Sequence, residues 1–114
     1  VMLRLGHYDF PKGHIERSET SIQAAVREIK EETAIDNIMV KKHIGNSFHV
    51  YAVQQTVYLK ENVWFSMLSE NPTNLKPQTE EGIEDLFWLD KGEIREKIDK
   101  FYPSLQDFIV NKLL

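Results

Sequence analysis

The stretch PKGHIERSETSIQAAVREIKEETAI, residues 11–35, reads as a loop running into a single helix. Pro11 and Gly13 keep its first residues out of regular structure. Thr20 followed by Gln23 has the spacing of a capping box, which places the N-cap at Thr20. Beyond it Ile22, Ala25, Val26, Ile29 and Thr33 recur at helical spacing and define the face expected to be buried. Glu28, Glu31 and Glu32 fall on an arc of about 100°, centred roughly 120° from that face. At about 6 Å and an effective dielectric near 20, each pair of these glutamates costs roughly 2 to 3 kcal/mol before screening. A bare EIKEE is most often a solvated acidic surface. The other account is a site for divalent cations, since Mg²⁺ prefers hard carboxylate oxygens alongside water and substrate phosphates.

Outward from this helix, VMLRLGHYDF (residues 1–10) reads as a short strand, a turn at Gly6 and a second extended piece stopped by Pro11. SFHVYAV and TVYLKENVWFSML carry the β-branched and aromatic residues of strands, and Gln54-Gln55 between them predicts an antiparallel connection. Residues 70–82, ENPTNLKPQTEEG, form a polar loop long enough to carry function. IEDLFWL reads as a further strand. Asp90 and Glu93 repeat the capping-box spacing and predict a helix to about Lys100, with Ile94, Ile98 and Phe101 inward. Pro103 interrupts it, and Ser104 with Asp107 predicts the cap of a last helix bearing Leu105, Phe108, Ile109 and Leu113. Trp64 and Trp88 are expected in the core rather than as base-stacking platforms, and packing is the expected role of Tyr102.

A chain of 114 residues, 41% hydrophobic and 28% charged, is the size of one domain with one core, here taken as 1–114. A net charge of −4 argues against a nucleic-acid binder, which needs a clustered basic surface. No apolar run approaches the ~18 residues that cross a bilayer, so no membrane partner is expected. The lack of cysteine excludes disulfides and thiolate metal sites and fits a reducing, cytoplasmic compartment.

Gly13, Glu19, Arg27, Glu28, Ile29, Glu31, Glu32, Ala34 and Ile35 resemble the signature of the Nudix hydrolases. That pattern is a glycine, five residues, a glutamate, seven residues, then Arg-Glu-apolar-x-Glu-Glu-x-Gly-apolar. Chance agreement is on the order of one in a million per chain, which turns the balance from acidic surface to metal site. Phe10-Pro11-Lys12-Gly13 and the late Trp-containing strand extend the likeness over most of the chain. Ala34 departs from the pattern, standing where the family usually has glycine. A left-handed turn at alanine would cost on the order of 1 kcal/mol without removing a ligand.

The resemblance implies an α/β/α sandwich with a mixed β-sheet between helices, and an N-terminal strand missing from the chain as given. It implies that Glu28, Glu31 and Glu32 bind Mg²⁺ or Mn²⁺ with the Gly13 carbonyl, and that Glu19 pairs with Arg27 to orient them. The bland alternative for that pair is a surface ion pair worth under about 1 kcal/mol. The reaction implied is hydrolysis of a nucleoside diphosphate linked to another group by water attack at phosphorus. A general base is needed; Glu28 on the helix and Glu80 or Glu81 on the long loop are the candidates. Lys12, and less strongly Arg4, are placed to meet phosphate if the loop lines the site. His14 follows in the same text, and His49 either faces substrate or is held within the sheet. YDFPKGHIE resembles relatives acting on dinucleoside polyphosphates. The alternatives are an ADP-ribose or nucleotide-sugar pyrophosphatase, a non-catalytic nucleotide-binding domain, and an interaction domain with an acidic face. Small nucleotides are the expected partners, in a monomer or homodimer.

Overall fold

Leu5 and Gly6 both take positive φ (50° and 82°), and that tight turn folds the N-terminal residues into a hairpin. Its strands are β1 (Met2–Arg4) and β2 (His7–Asp9), paired antiparallel from Met2 opposite Asp9 to Arg4 opposite His7. The computed structural model describes residues 1–70 and 74–114. The long loop predicted over 70–82 therefore lies partly outside the described residues; its far end is a 3₁₀ turn, Thr79–Glu81. That turn leads into β5 (Ile83–Leu86), which pairs antiparallel with the other edge of β1. The pairing sets Arg4 opposite Ile83, so the turn bearing Glu80 and Glu81 sits beside the Arg4 end of β1.

The helix predicted after Thr20 forms as α1 (Ser21–Thr33), with both bonds of the Thr20–Gln23 capping box made. Its buried face differs from the expected one. Thr33 is buried as expected, but Ile22 is exposed, and Ala24 and Glu32, outside the expected face, are buried. Helical periodicity locates an apolar stripe but not the angle at which the helix meets its neighbours; here the contact surface is rotated toward the acidic side. Ala34 closes α1 with φ 65° and ψ 11°, its N–H donating to the Lys30 carbonyl at 3.0 Å. This is the left-handed turn that glycine adopts without a Cβ penalty. Ala34→Gly is therefore expected to raise stability by about 1 kcal/mol, read as a higher urea midpoint at unchanged m.

β3 (Ile38–Val53) and β4 (Thr56–Ser69) form one long antiparallel hairpin, with Val53 opposite Thr56 and Gln54-Gln55 as the two-residue turn. Bulges between Val40 and Lys42 and between His43 and Gly45 break the register near the base. The base packs between α1 and the C-terminal helix α3 (Pro103–Phe108), giving the layers of an α/β/α sandwich. All strand pairs among the described residues are antiparallel; the parallel component is a single bridge, Tyr8 to Phe101.

At the C-terminal end, α2 (Lys91–Glu96) is capped by Asp90 as predicted. It stops short of Lys100, which belongs to a separate 3₁₀ turn, Ile98–Lys100. Pro103 starts α3 rather than interrupting a helix, and Tyr102, not Ser104, is its N-cap. Proline suits this first position because its missing N–H needs no intrahelical partner there. Trp64, Ile94, Phe101, Leu105, Phe108 and Ile109 make the core, with Phe10 packed edge-on against Trp64. The buried Trp64 indole donates to Ser47 Oγ at 2.8 Å. Trp88, expected inside, is exposed beyond the end of β5.

Candidate active site

The Lys12-Gly13-His14 loop lies against the acidic side of α1. A Cβ on Gly13 would fall 2.0 Å from the Glu28 carboxyl carbon, so only glycine lets that carboxylate rest on the loop backbone. Lys12 N–H donates to Glu32 Oε1 at 3.2 Å, and the His14 carbonyl accepts from Arg27 Nη2 at 2.9 Å. Loop and helix are thus tied at both ends of the site.

Arg27 is its central cation. Its Nε and Nη2 bond the two oxygens of Glu19 at 2.7 and 3.0 Å, the fork geometry in which guanidinium and carboxylate are strongest. Its Nη1 reaches Glu28 Oε1 at 2.7 Å and Glu31 Oε2 at 3.1 Å. The Arg27 hydrogen bond holds the Glu19 carboxyl below its usual range. One guanidinium therefore offsets the repulsion between Glu28 and Glu31 and fixes both to Glu19.

Glu32 is treated differently. It is 3% exposed, its Oε2 is buried with no partner, and burial, aided by the Glu28 charge, pushes its pKa up to about 8 against the opposing pull of Arg4 and Lys12. The proton so retained stabilises the fold fully below the unfolded value of 4.5. That contribution is lost as pH rises through the folded value of about 8. In chelator-treated protein, stability is expected to fall by on the order of a few kcal/mol across this window, and Glu32→Gln to flatten the slope. Urea unfolding at a series of pH values measures it.

A cleft of about 530 Å³ runs from Lys12, Gly13 and Glu28 along β4 from Lys60 to Met67 and ends on Phe108. That volume suits a nucleotide-sized ligand. At its mouth Lys60 lies near Lys12 and Arg4, and burial together with those two charges lowers its pKa. Lys12 is salt-bridged to the fully buried Asp9, and its Nζ also lies 5.9 Å from the Tyr102 ring centre. Tyr102 stacks on His7 at 4.5 Å, and burial and the Asp9 charge raise its hydroxyl pKa.

Of the residues anticipated from sequence, Lys12, Gly13, His14, Glu19, Arg27, Glu28, Glu31 and Glu32 are brought together, with Arg4 nearby. His49 is apart, exposed on the β3–β4 arm and stacked on Tyr51 at 6.0 Å between ring centres. Glu80 and Glu81 are exposed on their 3₁₀ turn. Sequence reasoning missed Asp9 and Lys60. The i,i+3 spacing of Asp9 and Lys12 was a signal for the first; nothing local marks the second.

The donor set fits a hard divalent cation: three carboxylates on one turn of helix, one with a buried oxygen lacking any partner. No three acidic or histidine side chains among the described residues converge as a ready ligand cluster, because Arg27 draws Glu28 and Glu31 to itself.

Fold and site together define an α/β domain in which an acidic helix and the loop packed on it border a nucleotide-sized cleft, with Lys12 and Lys60 in its lining and Arg4 close to both. The NUDIX domain family model matches residues 4–110, and the chain belongs to that family. Membership brings its general activity, hydrolysis of a nucleoside diphosphate linked to another group, with small-molecule nucleotides as substrates and typically a divalent metal ion. No helix among the described residues is long and apolar enough to cross a membrane.

Proposed function

We propose that this domain, spanning 1–114, is a Mg²⁺- or Mn²⁺-dependent pyrophosphohydrolase whose preferred substrates are dinucleoside polyphosphates such as diadenosine tetraphosphate. The observation that carries the substrate reading is the grouping of Arg4, Lys12 and Lys60 beside the acidic side of α1. Arg4 and Lys60 add to Lys12, itself paired with Asp9, the positive charge that a phosphate chain calls for. The YDFPKGHIE text supports the same subgroup.

Glu28, Glu31, Glu32 and the Gly13 carbonyl would hold the cation, which supplies charge neutralisation at the phosphate oxygens. Arg27, held by Glu19, positions Glu28 and Glu31. Lys12, Lys60 and Arg4 bind the phosphates outside the reacting one, and His14 lines the approach, while His49, out on the arm, takes no part. Water adds to phosphorus, its proton passing to a carboxylate oxygen of Glu28. The anhydride P–O bond breaks, and the departing phosphate takes the electron pair. Glu80 or Glu81, beside the Arg4 end of β1, is the alternative base. The ligand is a free nucleotide rather than a nucleic acid, in keeping with the net charge of −4, and the lack of cysteine supports a cytoplasmic setting.

Comparing kcat/KM for diadenosine tetraphosphate with that for ADP-ribose and a nucleotide sugar tests the substrate class. A preference of at least about tenfold for the tetraphosphate is expected. The reverse order would transfer the assignment to an ADP-ribose or nucleotide-sugar pyrophosphatase. Products formed in heavy-oxygen water identify the phosphorus attacked.

A further inference from the structure

Beyond the base, the β3–β4 hairpin runs out as a two-stranded arm whose strands have no second neighbour among the described residues. Residues 47–59 contain no Asp, Glu, Lys or Arg, although about four would be expected in that length at the chain's 28% charged content. Opposed residues share a face, so the register sorts the arm into two unlike sides. His49, Tyr51, Tyr58 and Lys60 lie on one side, continuous with the cationic rim. Phe48, Val50, Ala52, Val57 and Leu59 lie on the other, with Glu61 at its inner end, opposite Phe48 and bonded by Asn46.

This second side is open to solvent: Phe48 is 52% exposed, Val50 62%, Val57 70% and Leu59 67%. A lone two-stranded ribbon is marginal in water, and uncharged, unblunted edges are ones that proteins ordinarily cover. With roughly 100 Å² left open on each of the four larger side chains, the strip offers on the order of 400 Å² of apolar surface. One side of a standard interface contributes about 800 Å², somewhat over half of it apolar. Two such strips closed on each other thus supply the apolar share of a stable dimer.

We propose that the Phe48–Val50–Ala52–Val57–Leu59 face of the arm packs against the same face of a second copy of this chain across a two-fold axis. An isologous contact requires a patch to complement itself, and the apolar strip from Phe48 and Leu59 outward to Ala52 and Val57 does so, the one charge on this side, Glu61, lying at its inner end opposite Phe48. Packing on this side leaves the opposite side of the arm, with His49, Tyr51, Tyr58 and the cleft-lining Lys60, uncovered. The inference is independent of the substrate reading.

Sedimentation velocity of the complete natural chain tests it. A dimer is expected at about 10 μM, with Leu59→Lys and Val57→Lys each raising the dissociation constant at least about 30-fold. Thr56→Lys, on the opposite side, is expected to change it less than about threefold. Unchanged circular-dichroism melts of the monomeric variants show that folding is intact. A wild-type chain that stays monomeric at about 100 μM, or a dimer indifferent to both face variants, would overturn the proposal.

Discussion

Glu31→Gln is expected to lower kcat at least about a hundredfold while leaving the folded structure unchanged. Glu31 is exposed on α1, so loss of its charge removes no packing and leaves no buried group unsatisfied. In the resting structure its Oε2 only shares Arg27 Nη1 with Glu28, an exposed bond worth under about 1 kcal/mol to stability. An amide keeps the shape and loses the anionic donor, so a large fall in turnover isolates the cation-binding role. Steady-state kinetics with a thermal melt of the same sample separate the two effects. Wild-type turnover in this variant would remove Glu31 from the site.

Gly13→Ala is the second, with an expected loss of about ten- to a hundredfold in kcat/KM and little loss of stability. The added Cβ would overlap the Glu28 carboxyl group, at 2.0 to 2.5 Å from its three heavy atoms. Those atoms end a flexible side chain, so the fold accommodates the methyl group by swinging Glu28 away. That movement breaks the bond to Arg27 Nη1 and displaces the carboxylate from the loop. Misplacing a reacting group by about 1 Å costs rate steeply. Serine at this position should act alike. A variant that melts early would instead mark Gly13 as structural.

Much of this site could be read from the chain because its determinants are local. Thr20 and Gln23 recognise each other across one turn, so spacing alone foretold that pair, whereas the Glu19–Arg27 pair across the loop-helix junction was legible only through the resemblance of the motif. The Gln54-Gln55 turn was legible for the same reason, flanked by two long runs of strand-forming residues. What spacing could not supply was the direction each element presents. Ile22 lies on the predicted apolar stripe of α1 but points to solvent, while Glu32 is buried where the helix meets the Lys12 backbone. The burial of Asp9 beneath Lys12 and the approach of Lys60 to Lys12 and Arg4 depend on elements far apart in the chain. Pro103 was ambiguous in kind: the same residue stops one helix or begins the next, and only the neighbouring backbone chooses.

The repulsion among Glu28, Glu31 and Glu32 also has a sharper account in the folded chain. Arg27 compensates two of them, and Glu32, shut away from water, tends to keep its proton. A divalent cation would compete with both arrangements, taking carboxylates from Arg27 and the proton's place on Glu32. Metal affinity should therefore rise with pH through about 8.

The most direct measurement is product formation by the complete, folded chain from a panel of diphosphate-linked nucleosides, with Mg²⁺ or Mn²⁺ and again with excess chelator. Hydrolysis of at least one compound that needs the ion and collapses in Glu31→Gln is the predicted result. No hydrolysis of any compound with either ion, or equal rates with and without chelator, would contradict it.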